Sequence, residues 1–305
     1  MTLQRQIYRV ARSVLFTATI TVVALYLIIY VLLSVPAVQE RIKNVAEREM
    51  TAFLGGEVRI ERLTLKPFNE VVVSGLTVED PQGERCLYVE TVGAGINLYR
   101  LLRDRRVELS YGEIIGLNAK VLQPSEGAPL NIAFIIDAFK PKEPGKPPAK
   151  FDITLRNVVL RRCSASFDRE WKPRNEKVGT TDFNHIKLSA LRADINIPRL
   201  KNNDFVIDLR RLSFRLSGGL NVEKIALQTH ITDKSISVNN LIVALPGTDL
   251  RPSDFSLNFD DFSQIRSALE TGNHAFVMLD NHVTPSDFAC FWPPLANLHN
   301  PMTLT

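Results

Sequence analysis

The stretch Val58-Arg-Ile60-Glu-Arg-Leu63-Thr-Leu65 decides how the rest of the chain is read. Val58 and Ile60 alternate with Arg59 and Glu61, the period of a strand with one apolar and one polar face. The rhythm then slips, because two polar residues separate Ile60 from Leu63 before Leu65 restores the period. Residues three apart on a straight strand point to opposite faces. A bulge or corner at the polar pair would keep all these apolar side chains on one side.

The same unit (apolar, two polar or small residues, apolar, any residue, apolar) returns along the chain. It appears as Val73-Ser-Gly-Leu76-Thr-Val78, Leu155-Arg-Asn-Val158-Val-Leu160 and Leu209-Arg-Arg-Leu212-Ser-Phe214. Val222-Glu-Lys-Ile225-Ala-Leu227 and Val238-Asn-Asn-Leu241-Ile-Val243 complete the set. Repeated corners, each followed by a new strand, predict a mainly β fold: an elongated curled sheet, taco-like or solenoid-like, with short helices. Chance recurrence of apolar triplets in a β-rich chain is the competing explanation. Further alternation occurs at Val107 and Leu109 around Glu108, and at Leu117, Ala119 and Val121 around Asn118 and Lys120. Pro81-Gln82-Gly83 and Ser110-Tyr111-Gly112 read as turns, and the basic run at residues 100–106 as a solvated connection.

Upstream lies SVLFTATITVVALYLIIYVLL, residues 13–33, without one charge. A helix of that length covers about 30 Å, the thickness of a bilayer's hydrocarbon core. Arg5, Arg9 and Arg12 precede it with no acidic residue among them, which predicts a cytoplasmic N-terminus (residues 1–12) and a far-side location for the rest. Tyr30 stands near the exit, where an aromatic ring suits the interface. The rival reading is a cleaved signal peptide at Val35-Pro36-Ala37; the apolar run is long for one, and Pro36 sits between the recognition positions.

Residues 37–54 carry Val38, Ile42, Val45, Ala46 and Phe53 near helical spacing, with charged residues on the other faces and Gly55-Gly56 as a stop. This amphipathic helix is expected to pack over the mouth of the following domain. Residues 55–122 form a first β segment and 151–260 a second. Between them, 123–150 hold a brief apolar helix at 130–139, with Asn131 near its start, and the linker KPKEPGKPPAK. The end, 261–305, reads as a helix at 261–271, a strand at 275–279, and a proline-initiated turn at 284–292 stopped by Pro293-Pro294. The tail after it shows no capping device.

The net charge of +4 includes three arginines ahead of the apolar span, so the remainder carries +4 − 3 = +1 and gives no reason to expect nucleic acid. Cys86, Cys163 and Cys290 are odd in number and far apart, which fits buried structural thiols. The histidines are scattered, and no H-E-x-x-H, C-x-x-C, G-x-S-x-G or phosphate-binding loop occurs. Asp260-Asp261 reads as a helix start, and REWKPRNEK at 169–177 as a solvated hairpin loop. No catalytic residue, metal site or cofactor is expected, and the chain is read as a non-enzyme.

The entry into the exported region resembles the AsmA-like superfamily, particularly TamB-like proteins of the translocation and assembly module. The resemblance is carried by the N-terminal span, Val38-Gln39, LGGEVRIERLTLKPF (54–68) and VSGLTVEDPQGERCLYVE (73–90). LRNVVLRRCSASF (155–167) and SDFACFWPPLANL (286–298) look similar to later segments of the same family. It implies an inner-membrane anchor and a periplasmic β-groove with an apolar interior. It also implies a part in phospholipid transport toward the outer membrane, with phospholipid as cargo and an outer-membrane barrel protein of the BamA/TamA type as partner. Ile60, Leu65, Val78, Leu160, Phe214 and Val243 are the candidates to line that groove. Family members run several times longer, so this sequence corresponds to an incomplete chain, a short paralogue or one segment of a split protein. A tethered β-domain that binds protein partners without lipid is the alternative, and an anchored hydrolase lacks a visible nucleophile.

Overall fold

The computed structural model describes residues 2–66, 70–96, 108–138, 154–175, 179–201, 204–259, 274–278 and 281–304. The helix α1 (Thr2–Ser34) contains the apolar span Arg12–Ser34, none of it buried. It is long and apolar enough to cross a membrane, a property a signal sequence near the N-terminus shares. Pro36 then opens α2 (Pro36–Leu54), where its missing N–H costs nothing, and Gly55 ends it in the left-handed conformation (φ 81°).

The strands β1 (Val58–Lys66), β2 (Glu70–Glu79), β3 (Arg85–Ile96) and β4 (Glu108–Gln123) form an antiparallel meander. A crossover follows, containing the short helix α3 (Ala133–Ala138), and delivers β5 (Thr154–Arg169) parallel to β4. Antiparallel pairing resumes through β6 (His185–Lys201), β7 (Asp204–Leu216), β8 (Asn221–Ile231) and β9 (Ser235–Ala244). The edge of β9 is shared by β10 (Asp249–Leu250) and β11 (Pro252–Asn258). β12 (His274–Met278) pairs β11, while β13 (Asn281–Val283) and β14 (Met302–Leu304) continue outward from β10. All of these strands belong to one open sheet. Its winding is that of a meander, so the solenoid form of the expectation does not apply.

The predicted corners line up across strands. Glu61, Gly75, Glu90 and Gly116 fall on one row where the ladder skips a pair, with Gly75 and Gly116 at φ 65° and 67°. Arg162 continues the row on β5 at φ 54°, and Ala190 and Asn240 take similar left-handed conformations on β6 and β9. A crease thus crosses the sheet from β1 to β6, while Asn240 marks a separate corner on β9, level with Leu227, Leu209 and Ile195 and not with Ala190. Glu90 lies over Gly116, which has no side chain to obstruct it, and reaches Arg162 two strands away at 3.0 Å.

α2 serves the first strand in two ways. Thr51 Oγ1 accepts the Val58 N–H at 3.0 Å and a Glu47 carboxylate oxygen accepts that of Ile60 at 2.7 Å, so the free edge of β1 is covered. Met50 and Leu54 pack with Ile132, Phe134 and Ile135 against the buried cluster Val58, Val78 and Cys86. The expected helix over the domain's opening strands is therefore present.

Several expectations need correction. Ser110-Tyr111-Gly112 is no turn: β4 runs through it because β3 and β5 satisfy its backbone on both sides. On β5 the corner sits at Arg161-Arg162, not at Arg156-Asn157. The helix at 130–139 is shorter than expected, Ala133–Ala138, and Asn131 in the turn just before it bonds through its side chain to the backbone of Leu122 and Lys120, which holds the crossover to β4. Pro293-Pro294 opens a second 3-10 turn (Pro293–Asn297) after the first (Pro285–Phe288). The tail pairs as β14 on the edge that β13 leaves open. The helix expected at 261–271, the basic connection at 100–106 and the linker at 140–150 lie outside the described residues.

Candidate functional site

Register fixes which side chains share a face, since paired residues point the same way and alternate residues oppose. One row runs Leu65, Val71, Ala94, Gly112, Val158, Ile195, Leu209 and Leu227. A second, nearer the crease, runs Leu63, Val73, Val92, Ile114, Leu160, Ala193, Leu212, Ile225 and Val243. Beyond the crease, Val58, Val78, Leu87, Ala119, Ala165, Leu188 and Leu216 form a third. The corners keep these rows on the same side, so one face is apolar from β1 to β9. The other face carries Arg59, Glu113, Arg161, Asp194 and Arg211, with Arg161 and Glu113 paired at 2.8 Å.

All six residues named from the sequence fall on the apolar face. They are not equivalent. Ile60 and Val78 are only 4% and 3% exposed, Val78 lying in the cluster under α2 and α3. Leu65, Leu160, Phe214 and Val243 are half-buried, as are most apolar residues of the rows along β5 to β9. The sequence reading missed Leu188-Ser-Ala-Leu191-Arg-Ala193, which has the same unit, and Ile114-Ile-Gly116-Leu117-Asn-Ala119, where Ile115 departs from it; both line the same face. An apolar residue at one corner (Ile115) and small residues at the other (Ser189, Ala190) hid the pattern there. Of the anchor residues, Arg12 is exposed, Tyr30 is half-buried, and Arg5 and Arg9 lie in α1 with side chains outside the described set.

At the other strand ends, the C-terminal segment is tied to neighbouring loops. Cys290 O accepts the Thr181 N–H at 2.7 Å, Asp287 accepts that of Gly247 at 2.9 Å, and the Phe183 and Phe291 rings stack at 6.0 Å. The connection between β5 and β6 is likewise held: Asp182 accepts the backbone N–H groups of Asn175 and Asn184. His185 has acceptors at both ring nitrogens, the Asp168 carboxylate at Nδ1 and the Lys172 carbonyl at Nε2, each at 2.9 Å. The hydrogen bond that His185 donates to Asp168 raises the histidine's pKa, with burial opposing it and the Lys172 carbonyl adding to it.

A histidine stabilised as the cation holds its loop fully below its unfolded pKa of about 6.5, and that contribution is lost as pH rises through the higher folded value. Backbone amides near Lys172 and Asn184 should therefore exchange faster above that range, after correction for intrinsic rates. His185→Asn should abolish the pH dependence, and an unchanged profile would refute the doubly bonded cation.

Cys86, Cys163 and Cys290 are buried and unbridged, and burial, with Asp80 nearby, pushes the Cys86 thiol up, which suits an inert core group. Among the described residues no cluster of potential ligands could hold a metal ion. No family model, curated protein or solved structure matches the chain.

Proposed function

We propose that the chain is a membrane-anchored lipid-handling protein whose apolar sheet face holds acyl chains. The face forms a groove through which phospholipid moves toward the outer membrane. In this reading α1 stays in the inner membrane with its N-terminus in the cytoplasm, and the sheet lies in the periplasm, as the resemblance to TamB-like proteins implies.

The observation that carries the reading is the apolar face itself. It is continuous across the strands, yet Leu160, Phe214 and Val243 stay half-buried, and the described strands include no second sheet to cover them. Each methylene that leaves water contributes about 0.8 kcal/mol, so an acyl chain crossing an aqueous space needs such a surface along its path. The test is native mass spectrometry with lipid extraction on the full chain purified in maltoside micelles. Phospholipid should co-purify and be lost from a still-folded Leu160→Asp/Phe214→Asp variant. A folded wild-type chain without lipid would refute carriage.

That result would favour the second reading, a tethered module that binds protein. Its support is the exposed aromatic patch of Phe183, Phe291 and Trp292 where the C-terminal turns meet the loop before β6.

A further inference from the structure

On the polar face, opposite the acyl-chain surface, β4, β5, β6 and the loop carrying Arg174 line an open depression of about 390 Å³. Its floor is a register row: Lys120 pairs with Ser166, and Ser166 pairs with Lys187. The three side chains point the same way, with the Ser166 hydroxyl between two lysines whose backbones are about 10 Å apart, twice the strand spacing. Asn118 and Ser164 form the adjacent row and add polar groups to the wall.

The charge of this depression is not balanced from within. Its one carboxylate, Asp168, is engaged through Oδ1 by both His185 and Arg174, at 2.9 and 3.2 Å. Among the described residues, neither Lys120 nor Lys187 has an ion-pair partner. Lys120 and Lys187 are both exposed and flank one hydroxyl, so an anion placed between them would draw on both charges. Ammonium and hydroxyl donors around a concave space are the donor set that a tetrahedral oxyanion accepts.

We propose that this depression is a phosphate-binding site, with Lys120 and Lys187 clamping the anion over Ser166 and Arg174 closing its outer side. The phosphate is that of a soluble phosphomonoester or of a lipid headgroup. The site stands apart from the acyl-chain reading, since it lies on the other face and needs none of its residues.

The test is isothermal titration calorimetry on the full chain in maltoside micelles. Three probes are used: inorganic phosphate, glycerol 3-phosphate, and maltoside micelles doped with dihexanoyl phosphatidic acid. Binding should weaken about tenfold or more in Lys120→Gln/Lys187→Gln, since two charge-assisted contacts are lost, and should be unchanged in Lys224→Gln elsewhere on the sheet. Ser166→Ala, which changes no charge, should weaken it several-fold. Weakening with the soluble probes assigns a free phosphomonoester, and weakening with the doped micelles alone assigns a headgroup. No binding of any probe, or wild-type binding in the double variant, overturns the site. Neither outcome bears on co-purifying lipid in the Leu160→Asp/Phe214→Asp experiment.

Discussion

Replacing Gly56 with alanine should cost about 3 kcal/mol, at the upper end of what overpacking costs, while Gly55→Ala should cost only about 1 kcal/mol. The two glycines are adjacent, and their surroundings differ. Gly55 is the left-handed cap of α2, and a methyl group there would meet nothing within 4 Å, so the penalty is conformational alone. Gly56 is buried, and its Cβ would lie 2.4 Å from the Phe134 ring and 2.5 Å from the Glu79 carbonyl oxygen. The ring is confined in the cluster of Val58, Val78 and Cys86, and the oxygen belongs to β2, so neither yields without moving an element. The expected result is a fall in Tm of several degrees with faster hydrogen exchange in α2. Equal effects from the two substitutions would mean that α2 and α3 are not tightly seated on the first strands.

The corners were legible in the sequence because their cause is local. An apolar face interrupted by a polar pair has to bend, and Ile60-Glu-Arg-Leu63, Val73-Ser-Gly-Leu76 and Val238-Asn-Asn-Leu241 all do. What was not legible depends on neighbours. The segment from Leu155 to Ala165 contains the unit twice, at Arg156-Asn157 and at Arg161-Arg162. Only the second aligns with Gly116 on β4, so the crease of the existing sheet selects it. The parallel pairing of β4 with β5 and the docking of β14 likewise depend on which edge is free, which no local periodicity records. The phosphate site escaped for a related reason. Lys120, Ser166 and Lys187 each look like ordinary solvated strand residues, and only register makes them a row.

The crease should prove as important as the cap. Gly116→Val should destabilise the fold by about 3–5 kcal/mol, summing a β-branched residue in the left-handed region with crowding across the strand. The new Cβ would lie 2.7 Å from the Cβ of Glu90 and 2.5 Å from its carboxylate, which must then leave Arg162. Gly93→Ala is the matched control: it lies in β3 without a left-handed φ, its Cβ would approach Glu113 at an ordinary 3.9 Å, and it should be neutral or slightly stabilising. The readout extends beyond stability, because the corner is what places Ile114 and Leu117 on the same side. A strand relaxed to a flat pleat would turn one of them to the polar face and break the apolar surface at its middle. Under conditions where Gly116→Val remains folded, co-purifying lipid should therefore fall with it, while Gly93→Ala retains the wild-type amount. Full lipid retention in a folded Gly116→Val chain would show that acyl chains are held without the continuity the crease provides.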